Sequence, residues 1–102
     1  MMTKKHILSK LQFDDITWEI GLELRSAQTK FPHWSDDIIH GVSIMSEEAG
    51  EAVKAANQVY WDKLPIDELR KELIQTAAMC VRNIAHIDNQ ISLKKERTVY
   101  DE

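Results

Sequence analysis

Three observations predict an all-α fold. The 102 residues include only three Gly and two Pro, too few turn formers for a sheet-rich domain of this length. Along two long stretches, apolar residues recur at alternating spacings of four and three, the period of a helix face. The stretches are separated by Pro-containing breaks, Lys30-Phe31-Pro32-His33-Trp34-Ser35 and Asp62-Lys63-Leu64-Pro65, neither long enough to link domains. Residues 1–102 therefore read as one domain, a helical bundle with two long antiparallel helices plus an N-terminal helix.

Before the first break, Asp14 or Asp15 can cap a helix that runs to about Gln28 or Thr29. Residues 3–12 are expected as a short preceding helix or a loose arm, and Gly21 weakens the regularity of the helix that follows. Ser35 is the expected N-cap of the second helix, with Asp36 and Asp37 at the positive end of its dipole. Its apolar stripe is Ile38, Val42, Met45, Ala49, Ala52, Ala56 and Val59, which spans about 25 residues, or about 40 Å.

Pro65 suits the first position of the third helix, expected over 65–91. Its stripe is Ile66, Leu69, Leu73, Ala77, Cys80, Ile84, Ile87 and Ile91, and both stripes are expected to face the core. The charged tail, about 92–102, is expected to be frayed or used in assembly. Ile39, Ile44, Val53, Ala55, Ala78, Met79 and Val81 lie off the main stripes. A single three-helix chain cannot cover so much apolar surface, which predicts a homodimer or homotetramer built as a four-helix-type bundle.

The formal charge of −4, from 17 acidic and 13 basic residues, argues against a nucleic acid polymer or an anionic membrane as partner. No apolar run approaches the ~18 residues of a membrane span. The basic start, Met1-Met2-Thr3-Lys4-Lys5-His6, is not followed by the apolar region of a signal peptide. The single cysteine, Cys80, excludes an internal disulfide and a multi-cysteine zinc site. Lying on an apolar stripe, it reads as a buried thiol in a cytoplasmic protein.

The informative residues lie away from these stripes. In Met45-Ser46-Glu47-Glu48-Ala49-Gly50-Glu51, Glu48 and Glu51 fall about 60° apart on one helix face, and Glu47 flanks Glu51 at i, i+4. Charged helix faces are usually just solvated. Three like charges on one turn repel, however, and no Lys or Arg stands four residues from Glu48. Gly41, Ile44 and Ala55 share this face, so it is expected to meet another surface or line a cleft. The third helix carries a second polar stripe of Glu68, Glu72, Gln75, Met79, Arg82 and His86, on which Met79 covers an apolar gap. Antiparallel pairing can bring Glu48/Glu51 and Glu72/Gln75 to similar heights. Converging carboxylates suit Mg²⁺, with Mn²⁺ able to substitute, whereas zinc lacks its Cys/His donors.

With these residues in place, the run from Phe31 to Ile84 resembles the all-α nucleotide pyrophosphohydrolases of the MazG type. The matching pieces are Phe31-Pro32-His33-Trp34-Ser35-Asp36-Asp37-Ile38-Ile39-His40, the EExxE motif at Glu47–Glu51, and Leu69-Arg70-Lys71-Glu72-Leu73-Ile74-Gln75. The motifs cover about half the chain and the helix layout covers the rest. The resemblance implies Mg²⁺-dependent hydrolysis of (deoxy)nucleoside triphosphates to the monophosphate and pyrophosphate, as in house-cleaning of unwanted dNTPs. Family members hold the metal with ExxE on one helix and ExxD on the next. Carried over, the ligands are Glu48, Glu51 and Glu72, with Gln75 where the family has Asp. The neutral carbonyl oxygen of Gln can still ligate, directly or through water, but with one negative charge fewer the metal affinity falls.

Within that mechanism Glu47 and Glu48 are the catalytic candidates, Glu47 to orient or deprotonate the attacking water or to hold a second metal. Arg82 and, more weakly, Lys54 are candidates for phosphate contact. Trp34, or Trp18, can stack on the base. Each has a bland counterpart: Trp34 anchors the loop, Trp18 and Trp61 pack, and Arg82 and His86 face either solvent or site. His33 and His40 are read mainly as loop and helix-surface residues. The alternative function is a non-catalytic nucleotide- or protein-binding helical oligomer of the same ancestry, which Gln75 keeps alive. A weaker third is a partner-binding, antitoxin-like module with an exposed apolar groove.

Overall fold

A computed structural model describes Lys5 and residues 7–100, with side chains through Leu93. Among the described residues there are three helices and no strands: α1 (Lys10–Lys30), α2 (Ile38–Asp62) and α3 (Ile66–Tyr100). No helix among them is long and apolar enough to cross a membrane.

α1 starts before the expected Asp14/Asp15 cap. The Oγ of Ser9 accepts the Gln12 N–H at 3.1 Å and makes Ser9 the cap. Residues 10–12 therefore belong to α1 and not to a separate arm. At the other end, Phe31 donates its N–H to the Ala27 carbonyl at 2.8 Å, and Pro32 turns the chain out of the helix.

The cap of α2 is Asp37 rather than Ser35. Its carboxylate accepts the Ile39 N–H at 2.9 Å, while Ser35 Oγ accepts the Asp37 N–H at 3.1 Å and shapes the approach. The expected length holds at 25 residues. α2 ends on Lys63, the one non-glycine with positive φ among the described residues (59°). Such a conformation crowds Cβ against the backbone. Lys63→Gly should raise the free energy of unfolding by about 0.5–1 kcal/mol, read as a higher urea midpoint at unchanged slope.

α3 begins at Ile66, one residue after Pro65, whose carbonyl accepts the Glu68 N–H at 3.2 Å. Asp67 and Glu68 suit the positive end of its dipole. The helix does not stop near Ile91 but continues to Tyr100. The tail expected to fray contains no Gly or Pro over 92–100 to break it. Asp101 and Glu102 lie outside the described residues.

α3 packs against both other helices, whereas α1 and α2 make no close backbone approach to each other. An ion pair between Arg70 and Glu19 ties α1 to α3. α2 and α3 run antiparallel, and Asn83 Nδ2 donates to the Gly41 carbonyl at 3.1 Å and to the Met79 carbonyl at 3.2 Å. Gly41 permits this approach. A Cβ there would lie 2.6 Å from Asn83 Oδ1 and 3.1 Å from Trp34 Nε1.

The apolar stripe of α3 does not face the interior as expected. Ile66, Leu73, Ile84 and Ile91 are 67%, 53%, 58% and 48% exposed, and Cys80 is only half-buried. The polar face turns inward instead, because Arg82 and Asn83 bond across to the neighbouring segments. In α2, Ile38 and Val42 are exposed while Met45, Ala49, Ala56 and Val59 are half-buried. The only apolar side chains in the buried core among the described residues are Ala52, Ala55 and Ala78, and of these only Ala78 is fully buried. The chain exposes 8723 Å², against roughly 5,900 Å² for a compact monomer of its mass. Its Cα radius of gyration is 17.6 Å, against about 13 Å for a compact domain of this length.

Candidate active-site cleft

Because α1 and α2 stand apart, α3 floors an open cleft between them of about 690 Å³. Helical spacing builds its walls in rungs. α1 contributes Glu23, Ala27 and Lys30; α2 contributes Glu48, Ile44 and His40; α3 contributes Gln75, Met79 and Arg82. Within each trio the spacings are three or four residues, one turn apiece, so the trio spans about 10–12 Å. With α2 and α3 antiparallel, Glu48 and Gln75 fall at one end, and His40 and Arg82 at the other. The α1–α2 linker closes the second end with Phe31, His33 and Trp34. The cleft is acidic at one end, apolar in the middle, and aromatic and basic at the other.

At the acidic end the Glu48 carboxyl titrates above the ordinary carboxylate range. Burial is the main cause, followed by the charges of Glu72, Glu51, Glu23 and Glu47. Glu47, Glu51, Glu72 and Glu23 thus lie close enough to Glu48 for their charges to act on it. Glu48 and Gln75 line the cleft; Glu72, half-buried, and Glu47 and Glu51, exposed, do not line it. Oxygen donors of this kind fit a hard divalent cation better than zinc. Among the described residues, no three His, Cys, Asp or Glu side chains are already gathered closely enough to hold one ion. Binding would therefore require the carboxylates to change rotamer.

At the other end Arg82 is 7% exposed. Its Nη2 donates to the Phe31 carbonyl at 2.8 Å, and its guanidinium lies 4.4 Å from the centroid of the Trp34 ring. Burial lowers its pKa. These contacts pin the linker to α3 and set the ring of Trp34 as a wall of the cleft. Arg82→Met should cost about 1–3 kcal/mol of stability by removing the charged hydrogen bond and the stack, measured by urea unfolding at fixed protein concentration.

Of the remaining candidates, Lys54 is exposed and does not line the cleft, and neither do Trp18 and Trp61, which are 66% and 72% exposed. His33 and His40, read mainly as surface residues, both border it, and His86 is half-buried outside it. Glu23 was not anticipated. Its signal lies in α1 itself: an acid set among the half-buried Ile16, Ile20, Leu24 and Ala27.

No protein-family model matches the chain, and no curated protein or solved structure matches it.

Proposed function

We propose that the cleft is the active site of a MazG-type, Mg²⁺-dependent nucleoside triphosphate pyrophosphohydrolase, acting in the cytoplasm as a homodimer or homotetramer. The observation that carries this reading is the position of Glu48, half-buried among four other carboxylates at one end of a cleft with an aromatic opposite end. Such repulsion destabilises the free protein and favours cation uptake. The volume lies within the range of small-molecule sites.

Glu48, Glu51 and Glu72, with the carbonyl oxygen of Gln75, would hold the metal after a change of rotamer. When bound, Mg²⁺ neutralises triphosphate charge and stabilises the departing pyrophosphate. Glu47 orients the attacking water or accepts its proton. Trp34 presents a ring to the base, with Arg82 behind it holding the linker in place. Across roughly 10–12 Å of cleft, a triphosphate at the acidic rung leaves the base near Trp34.

A second reading is a non-catalytic oligomer that binds nucleotide or a protein. It is favoured by Gln75 and by the absence, among the described residues, of a pre-gathered metal cluster. A pyrophosphate-release assay over standard and modified dNTPs, with and without Mg²⁺, separates the two. The hydrolase reading expects Mg²⁺-dependent pyrophosphate from at least one nucleotide. The second expects none, with nucleotide binding unchanged in Glu48→Ala and Glu72→Ala.

A further inference from the structure

The acidic rung of the cleft has no cation of its own. The basic residues that line the cleft, Lys30, His33, His40 and Arg82, stand towards its aromatic end. A nucleoside triphosphate with its base near Trp34 and its α-phosphoryl group at Glu48 and Gln75 carries its other two phosphates past that rung, away from all four. A second cavity lies on that side. It measures about 400 Å³, is open to solvent, and is lined chiefly by Glu19 and Glu23 of α1 and by Asp67, Arg70 and Lys71 of α3.

The two cavities adjoin. α1 lies beside α3 in the same direction, since Arg70 with Glu19 and Arg82 with Phe31 both join residues 51 apart. Glu23 is thus level with Ile74, and it lines both cavities. Lys71 stands four residues before Gln75 on one helix face, about 6 Å further along the axis. One turn is the reach of two more phosphoryl groups. Arg70 is held by Glu19, whereas Lys71 is exposed and enters no ion pair among the described residues. Lys71 is therefore the cation free to meet phosphate oxygens. A lining of both signs suits a magnesium-bound pyrophosphate, which itself carries both, better than a bare anion.

We infer, on the hydrolase reading above, that this second cavity receives the β- and γ-phosphates of the substrate, with Lys71 as the side chain that contacts them, and releases the pyrophosphate. As the water oxygen bonds to the α-phosphorus, the bond from that phosphorus to the bridging oxygen breaks. The bridging oxygen leaves with the electron pair on the β-phosphate, and the water proton passes to Glu47. The charge gathered on the departing group falls beside Lys71, where an ammonium stabilises it.

The test titrates the full chain with inorganic pyrophosphate and Mg²⁺ in a calorimeter, beside the pyrophosphate-release assay. The wild type should bind pyrophosphate. Lys71→Met should weaken that binding and lower kcat/KM for the triphosphate, each about tenfold, whereas Lys71→Arg should hold both within about threefold. The melting temperature, and the affinity for the monophosphate of the nucleotide turned over, should stay unchanged in Lys71→Met, which a general loss of structure would not allow. Pyrophosphate binding that survives Lys71→Met, or an equal loss of monophosphate binding, overturns the role of this cavity alone. So does a wild type that hydrolyses a triphosphate yet binds no pyrophosphate. A wild type that hydrolyses no triphosphate overturns the hydrolase reading, and this role with it.

Discussion

Replacing Glu48 by Gln should abolish Mg²⁺-dependent pyrophosphate release, by at least about two orders of magnitude, and raise the melting temperature of the metal-free protein. Both effects have one origin. The Glu48 carboxyl is raised in pKa first by burial and then by Glu72, Glu51, Glu23 and Glu47. In the folded state it binds its proton more tightly than in the unfolded chain, so deprotonation costs the native state stability. Above the folded pKa the penalty is fully present. As pH falls through that value towards the ordinary one of 4.5 the penalty fades, and below it the group is neutral in both states. The gain from Glu48→Gln should therefore be largest at neutral pH and vanish below pH 4.5. Mg²⁺ should raise the melting temperature of the wild type by mass action and that of the variant much less. Thermal melts across pH, with and without Mg²⁺, check all three outcomes.

Gly41→Ala should lower stability by about 1–3 kcal/mol, or about 4–8 °C in melting temperature per kcal/mol for a domain of this size. The added methyl would sit 2.6 Å from Asn83 Oδ1 and 3.1 Å from Trp34 Nε1. Asn83 must then leave the Gly41 carbonyl, or α2 must move off α3 and disturb Trp34. Asn83→Ala removes the obstructing oxygen along with the hydrogen bond. The double variant should thus lose clearly less than the sum of the two single ones. Additive losses in urea melts at one protein concentration would show that the contact does not limit helix approach.

Much of the fold was legible because period and punctuation are local properties. Three helices, a short turn at Asp62–Pro65 and the 25-residue length of α2 follow from spacing and from the Pro breaks. Cap choice was less legible. Ser9 competes with Asp14 and Asp15, and Ser35 with Asp37, and only hydrogen-bond geometry separates residues with similar capping strength. The end of α3 was misplaced because charge suggested a loose tail, whereas helix breakers, and not charge, end a helix.

The orientation of α3 could not be read from the chain. Period identifies an apolar face but not what covers it, and the inward polar face depends on Arg82 reaching Phe31 and Asn83 reaching Gly41. At the site, only Glu48 of the Glu47–Glu51 motif lines the cleft, while the charges of Glu47 and Glu51 act on it from outside. Glu23 joined Glu48 from a helix that carries no motif, because α1 and α2 stand apart and α3 brings their faces to one cleft.

Turnover in ¹⁸O-labelled water tests the central claim most directly. The account predicts that a nucleoside triphosphate hydrolysed with Mg²⁺ carries the label in the monophosphate, with unlabelled pyrophosphate released, because water attacks the α-phosphoryl group at the acidic end of the cleft. Label in pyrophosphate or orthophosphate, or binding of nucleotide with no turnover, would contradict it.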